Sequence, residues 1–194
     1  MCYKRISHGF AVICSFLGLS LFLLSNSAIS ADLTFTDDAG EKITLKGKSP
    51  RAVSLVPSVT EIVNALGAGD MLRGRTYHSS PSNRNCSQRI VGGFYHCNLQ
   101  IIASLDPEVI FVSDKHKRVK KHFAGKDPEV ITFSTDTVRD SFREIRVLGR
   151  IFGKEDKSLE IVKGIKEKFS LIEKKVDKIP RKKKRRVMRF MGRE

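Results

Sequence analysis

Three observations predict an α/β domain built on a parallel sheet covered on both faces. Short apolar runs that read as strands alternate with helical patterns. The segment Arg51 to Gly69 (RAVSLVPSVTEIVNALGAG) joins one such strand to a helix through a sharp turn. From Glu155 to Ile179, Leu159, Val162, Ile165, Phe169, Ile172 and Val176 recur at three- and four-residue spacing, which predicts one long amphipathic helix.

Each element follows from local chemistry. Leu33 to Thr36 and Lys42 to Leu45 alternate apolar and polar residues around Asp38-Ala39-Gly40, the pattern of an edge β-hairpin. Ala52 to Val56 is an apolar strand stopped by Pro57. Ser58 is the expected N-cap, and Glu61 three residues on completes a capping box, with Gly67 and Gly69 closing the helix. Met71 to Thr76 reads as a second parallel strand, and Tyr77 to Arg89 as a polar loop. Asn98 caps a short helix that Asp106-Pro107 breaks. Val109 to Val112 is a buried strand, followed by a helix from Lys115 to Phe123 and a fourth strand at Val130 to Phe133. Val138 to Leu148 is amphipathic and is expected to stop at Gly149. Pro180 ends the long helix, and Arg186 to Met191 reads as one more strand.

The N-terminus has the form of a secretory signal peptide over residues 1–30. Lys4 and Arg5 precede an apolar run from Phe10 to Leu24, and Ala28-Ile29-Ser30 fits a cleavage site. The run falls short of the ~20 apolar residues of a comfortable span, so an uncleaved anchor is the lesser alternative. No small-residue box ends in cysteine there, which argues against lipidation. Export makes a disulfide the default reading of Cys86 and Cys97. The sharper alternative is a metal site drawing on Tyr77, His78 and His96, although the spacing fits no zinc motif.

Charge is concentrated at one end. Of a formal net charge of +15, the last thirty-two residues carry +10, from fourteen Lys or Arg against four acids. PRKKKRR (180–186) has the composition of a nucleic-acid or nuclear-import patch. Export argues against both partners, and the tail lacks interleaved aromatics for base stacking. A solvated basic face, or one that attracts anionic headgroups, is the simpler reading. No Ser/His/Asp order, HExxH or Walker loop supports catalysis, so no enzyme is expected.

These motifs, in this order, resemble the vitamin B12 and iron–siderophore class of periplasmic binding proteins, the solute receptors of ABC importers. The matching segments are R-x-V-S-L-x-P-S-x-T-E at Arg51 to Glu61, the loop from Gly74 to His78, Val91-Gly92-Gly93-Phe94, and N-L-x-x-I-x-x-L-x-P-x-x-I at Asn98 to Ile110. The resemblance implies a Rossmann-like first lobe over 31–153, a rigid interlobe helix over 154–180, and over 181–194 the first strand of a second lobe that the sequence does not hold. It implies no cofactor, a ligand that is a metal chelate (cobalamin, haem or a ferric siderophore), an ABC permease as partner, a monomer that binds no nucleic acid, and a periplasmic location. By the same resemblance the ligand-binding residues are Ser58, Thr60, Tyr77, His78, Phe94, Tyr95 and His96; in haem-binding relatives a Tyr in this lobe can ligate iron, with Tyr77 and Tyr95 as candidates and His78 or His96 as axial alternatives. The permease-docking Glu of the family is Gln100 here. The alternatives to a receptor are a one-lobed exported binding module and a truncated remnant. An apolar far end of the long helix left uncovered, at Phe169 and Ile172, favours the two-lobed receptor.

Overall fold

The computed structural model describes residues 32–47, 50–80, 88–183 and 185. The signal peptide (1–30), Cys86 and the strand expected at 186–191 lie outside the described residues.

The described residues begin with the expected hairpin, β1 (Leu33–Thr36) antiparallel to β2 (Lys42–Leu45). Its inward residues Ile43 and Leu45 are buried against the domain, as the two-residue period requires. The turn is fastened to the sheet by two carboxylates. Asp37 accepts from the backbone N–H of Thr132 at 2.9 Å, and Asp38 from that of Ser134 at 2.8 Å.

Then come β3 (Ala52–Ser54), α1 (Pro57–Ala65), β4 (Leu72–Arg75), β5 (Arg89–Ile90), α2 (Leu99–Ser104), β6 (Val109–Val112), α3 (Lys117–Phe123), β7 (Glu129–Thr132), α4 (Val138–Ile151) and α5 (Glu155–Asp177). The five strands from β3 onward form one parallel sheet in the order β5-β4-β3-β6-β7. The chain builds outward from β3 to β5, then returns to lay β6 and β7 on the other side. Neighbours β3 and β6 therefore send their following loops in opposite directions, which opens a crevice at their carboxyl ends.

Strand β6 shows why both faces are covered. All four of its residues are buried. Val109 and Phe111 join a core layer with α1, α4 and the hairpin, while Ile110 and Val112 join a second layer with α2 and α3.

Several boundaries differ from expectation for local physical reasons. Helix α1 starts two residues early, with Val56 as N-cap and no side-chain cap, because Pro57 at the first helical position supplies the fixed φ that a cap would otherwise set up. Ser58 thus lies inside the first turn. Gly67 (φ +74°) does end this helix, but Gly69 begins a short 3₁₀ turn. Arg89, expected in a loop, pairs with Gly74 as part of β5. Helix α3 starts at Lys117, not Lys115, because Ser113 to His116 form a turn.

Helix α4 runs through Gly149 to Ile151, since that glycine is a contact point and not a stop. A Cβ on Gly149 would lie 2.5 Å from Ser158 Cβ, so the missing side chain lets α4 and α5 meet. Alanine there is expected to lower unfolding free energy by about 1–3 kcal/mol through overpacking, despite its better helix propensity. Adding Ser158→Gly should recover part of the loss in denaturant titrations; a purely additive pair would show that the two positions are not in contact.

Helix α5 buries Ser158 and Val162 near its start. Further on the same apolar stripe is uncovered: Phe169 is 43% exposed and Ile172 54%. Past Pro180 the described residues Arg181–Lys183 form a 3₁₀ turn.

Candidate functional site

The carboxyl ends of the parallel strands carry loops 55–58, 76–79, 91–97, 113–116 and 133–137, and the crevice between β3 and β6 lies among them. Two of these loops are held together by a glycine. The backbone N–H of Tyr77 donates to the Gly92 carbonyl at 3.0 Å. The Tyr77 side chain lies over Gly93, where a Cβ would come within 2.5 Å of the phenol oxygen. The His78 ring packs at a tilt against Tyr77, with ring centroids 4.2 Å apart.

Loop 91–97 is a tight turn. Gly93 N–H donates to the His96 carbonyl at 2.9 Å, and Gly92 (φ +114°) bridges to Cys97. The turn raises Phe94 and Tyr95 at the sheet edge, their rings edge-to-face at 4.9 Å. Phe94 in turn meets the His116 ring at 4.7 Å, again edge-to-face. Three rings from two loops therefore form a continuous wall, graded from Tyr95, 72% exposed, to His116, 4% exposed.

The expected ligand-binding residues do not all join this wall. Tyr77, His78, Phe94 and Tyr95 come together. Ser58 is exposed on the first turn of α1. Thr60 is fully buried and its hydroxyl donates to Ser54 Oγ at 2.9 Å, so it ties the helix to β3 and faces no solvent. His96 points elsewhere, into a groove shared with Cys97, Gln100, Arg118 and His122. Gln100 is exposed on α2, whose N-cap Asn98 accepts from the N–H groups of Gln100 and Ile101 as expected. Cys97 is half-buried and has no partner sulfur among the described residues, its expected disulfide partner Cys86 lying outside them; burial pushes its thiol pKa up. Among the described residues, no three His, Cys, Asp or Glu side chains are grouped to hold a metal ion.

The sequence reading missed the turn after β6. Ser113 N–H donates to His116 Nδ1 at 3.0 Å, and Ser113 Oγ lies 2.9 Å from the same nitrogen. Beside it Lys115 Nζ and Asp114 Oδ2 pair at 2.7 Å. That bond holds the Asp114 carboxyl below its ordinary range and pushes the Lys115 ammonium up. The available signal was position: this turn follows the strongest strand, at the edge where open α/β sheets bind ligands.

Glu144 on α4 is a second omission. It is 2% exposed, its Oε2 accepts from Thr135 Oγ1 at 2.6 Å, and its Oε1 has no partner. Burial pushes its pKa up, and Asp38 adds to the rise, against the Thr135 bond and Arg143. A folded-state pKa above the unfolded value means that ionisation costs stability, so this contribution is full at low pH and is lost as pH rises through the folded pKa. Glu144→Gln keeps an acceptor for Thr135 and removes the charge. It is expected to raise unfolding free energy by about 1 kcal/mol at pH 7 and to give no gain at pH 4. Equal effects at both pH values in urea titrations would assign the change to packing.

A groove of about 680 Å³ that none of the wall residues line lies between the hairpin turn and the segment joining α3 to β7. Its walls mix Lys42, Lys120 and Lys126 with Glu41, Asp127 and Glu129, and no set of like groups converges there. The aromatic wall is an open surface, the form that one side of a cleft takes.

The chain is thus an α/β domain whose open parallel sheet carries an aromatic wall at the carboxyl ends of its strands. A sequence profile described as periplasmic binding protein matches residues 53–193, and the chain belongs to that family. It is 26% identical over 153 residues to an uncharacterized ABC transporter substrate-binding lipoprotein of Bacillus subtilis (strain 168), YvrC, covering 76% of this chain and 48% of that protein. The fold is similar to the petrobactin-binding protein YclQ of Bacillus subtilis (TM-score 0.67, 22% identity, 76% of this chain and 54% of that one). It is equally similar to the molybdate periplasmic binding protein MolA of Haemophilus influenzae (TM-score 0.67, 19% identity, 78% and 56%). The chain thus spans about half the length of the relatives it matches.

Proposed function

We propose that this chain is the substrate-binding part of an ABC importer for a metal chelate, and that its aromatic edge forms one wall of the ligand cleft. The observation that carries the reading is the convergence of Tyr77, His78, Phe94 and Tyr95 at the carboxyl edge beside the β3/β6 crevice. Aromatic faces offer the apolar area that a large, flat or catechol-rich chelate needs, and phenol and imidazole tips add a few polar contacts. The petrobactin-binding neighbour supports a ferric siderophore over cobalamin or haem. The uncovered stripe at Phe169 and Ile172 supports a second lobe packed on the far half of α5, with this helix as the interlobe connection. The chain then works in the periplasm after export by its signal peptide, as a monomer that meets an ABC permease. Gln100 on exposed α2 supplies a neutral contact where the related receptors use a carboxylate, which weakens orientation at docking more than affinity.

The test uses a convenient property of the sequence. The protein has no Trp and three Tyr; Tyr95 stands in the wall and Tyr77 lies beside it over Gly93. Tyrosine emission is titrated with ferric petrobactin, haemin and cobalamin, and with molybdate for comparison. Saturable quenching by a chelate, weakened by Tyr95→Phe, is the expected result. One wall buries about half of a ligand's surface, so residues 32–194 alone should bind weakly. Nanomolar binding by that segment would contradict the one-wall reading, and binding of molybdate alone would replace the chelate with a bare oxyanion.

A further inference from the structure

We propose that His116 is the positioning residue of the aromatic wall: in its neutral form, pinned to the Ser113 turn, it holds Phe94 and through it Tyr95, and its protonation releases them. The inference rests on the wall being the ligand-contacting edge.

The tautomer follows from the hydrogen bonds. A backbone N–H can only donate, so the Ser113 N–H at 3.0 Å requires an unprotonated Nδ1. The ring proton of the neutral form is therefore on Nε2. That nitrogen is buried and has no partner in hydrogen-bonding geometry; the Phe94 backbone is its polar neighbour. A second proton can go only to Nδ1. It would set two donors, Nδ1–H and the Ser113 N–H, against each other in a turn that is also closed by His116 N–H donating to the Ser113 carbonyl at 3.2 Å. The Ser113 N–H bond is then lost, and the ring must turn toward Ser113 Oγ, the acceptor 2.9 Å from Nδ1, or leave its place.

Either movement removes the surface against which Phe94 packs. The three rings are in serial contact, 4.7 Å from His116 to Phe94 and 4.9 Å from Phe94 to Tyr95. Burial already favours the neutral ring and lowers its pKa. The charges acting on it have opposite senses: Asp114 from its own turn favours protonation, and Lys120 from α3 disfavours it. The facing loop presents the Phe94 ring and backbone. A histidine whose folded pKa is depressed contributes stability above its unfolded pKa, near 6.5, and that contribution is lost as pH falls toward the folded value. The consequence is a binding wall that is ordered at neutral pH and loosened in acid.

The experiment follows the ¹⁵N signals of His116 and the ring signals of Phe94 in the ligand-free chain from pH 8 to pH 4.5, for wild type, His116→Asn and Phe94→Leu. Asn can still accept from Ser113 but does not titrate. The proposal expects an Nε2–H tautomer at pH 8. It also expects Phe94 shifts that move together with His116 at a midpoint below about 6.5, and loss of the Phe94 transition in His116→Asn with far-UV dichroism unchanged. In Phe94→Leu, where the wall is cut, the His116 titration should persist while tyrosine emission no longer follows it. A protonated Nδ1 at pH 8, or a Phe94 transition that survives His116→Asn, overturns the proposal. If His116→Asn does not fold, Phe94→Leu decides alone: tyrosine emission still tracking His116 overturns the coupling. A parallel ferric petrobactin titration at pH 8 separates the two claims. Coupled spectra without chelate binding uphold the positioning role and sink the reading of the edge.

Discussion

Gly92→Ala is expected to dismantle the aromatic wall while leaving the sheet in place. Two costs add at this position. The backbone sits at φ +114°, which an L side chain rarely adopts, and such strain costs about 1–3 kcal/mol. The added Cβ would also fall 2.5 Å from the His96 carbonyl oxygen and 2.9 Å from Cys97 Cα, both main-chain atoms that no rotamer change can move aside. Relief requires the 91–97 turn to open, which breaks the Gly93-to-His96 bond and the Tyr77-to-Gly92 bond that joins the two loops. Phe94, Tyr95 and Tyr77 are then no longer held together. The expected readings are a loss of roughly 3 kcal/mol in denaturant titrations, tyrosine emission close to that of free tyrosine, and loss of any chelate quenching. Gly67→Ala is the control. That residue also has positive φ, at +74°, but nothing lies within 4 Å of its Cβ position, so only the strain is felt. If the two variants lose equal stability and Gly92→Ala keeps wild-type emission, the turn is not what holds the wall.

The parts of this site that were legible in the sequence are those set by short-range rules. The run Val109 to Val112 could be nothing but a buried strand, and the i, i+3, i+4 pattern from Leu159 to Val176 marked the long helix to within two residues of its observed end. Asn98 is a cap because an Asn before an apolar turn satisfies otherwise open N–H groups, and it does so here for Gln100 and Ile101. Tyr77, Phe94 and Tyr95 came into view through the resemblance to the periplasmic receptors, whereas the rule that ligands gather at strand carboxyl ends pointed to the first turn of α1.

What escaped depends on approach between segments distant in sequence. Strand β5 is only Arg89–Ile90, both exposed, with no alternation to announce it; its pairing with Gly74 and Arg75 makes it a strand. Gly149 follows an amphipathic run and so mimics a helix stop, and only the nearness of Ser158 shows why a glycine is needed inside the helix. Thr60 carries a hydroxyl at the ligand-facing end of the sheet, yet it is consumed by Ser54, six residues earlier. His116 is twenty-two positions from Phe94, and no local pattern ties an imidazole in a helix-like segment to an aromatic in another loop. Asp37 and Asp38 read as ordinary turn residues, whereas they clamp the hairpin onto Thr132 and Ser134, ninety-five and ninety-six residues away.

Phe111→Ala is expected to give the largest stability loss, and it tests how the core supports the wall. Phe111 is fully buried in the interior strand β6, with the rings of Phe133 and Phe152 at 5.9 and 6.0 Å. Truncating a phenylalanine at such a position costs about 3–5 kcal/mol, from lost transfer free energy plus the cavity left behind. That is a large part of the roughly 5–15 kcal/mol available to a domain. The loss should reach the functional edge as well. The Leu55 N–H donates to the Phe111 carbonyl at 3.0 Å and the Phe133 N–H to that of Val112 at 2.8 Å, so the strand that loses its ring also anchors the start of the loops that follow its two neighbours, β3 and β7. Phe111→Leu leaves a smaller void and should lose correspondingly less. Urea titrations compare the two variants. A loss below about 1 kcal/mol for Phe111→Ala would mean that α4 closes onto β6 without a cavity. The layer carrying Phe133 and Phe152 would then be mobile against the sheet, and the wall would draw its rigidity from its own hydrogen-bonded turns alone.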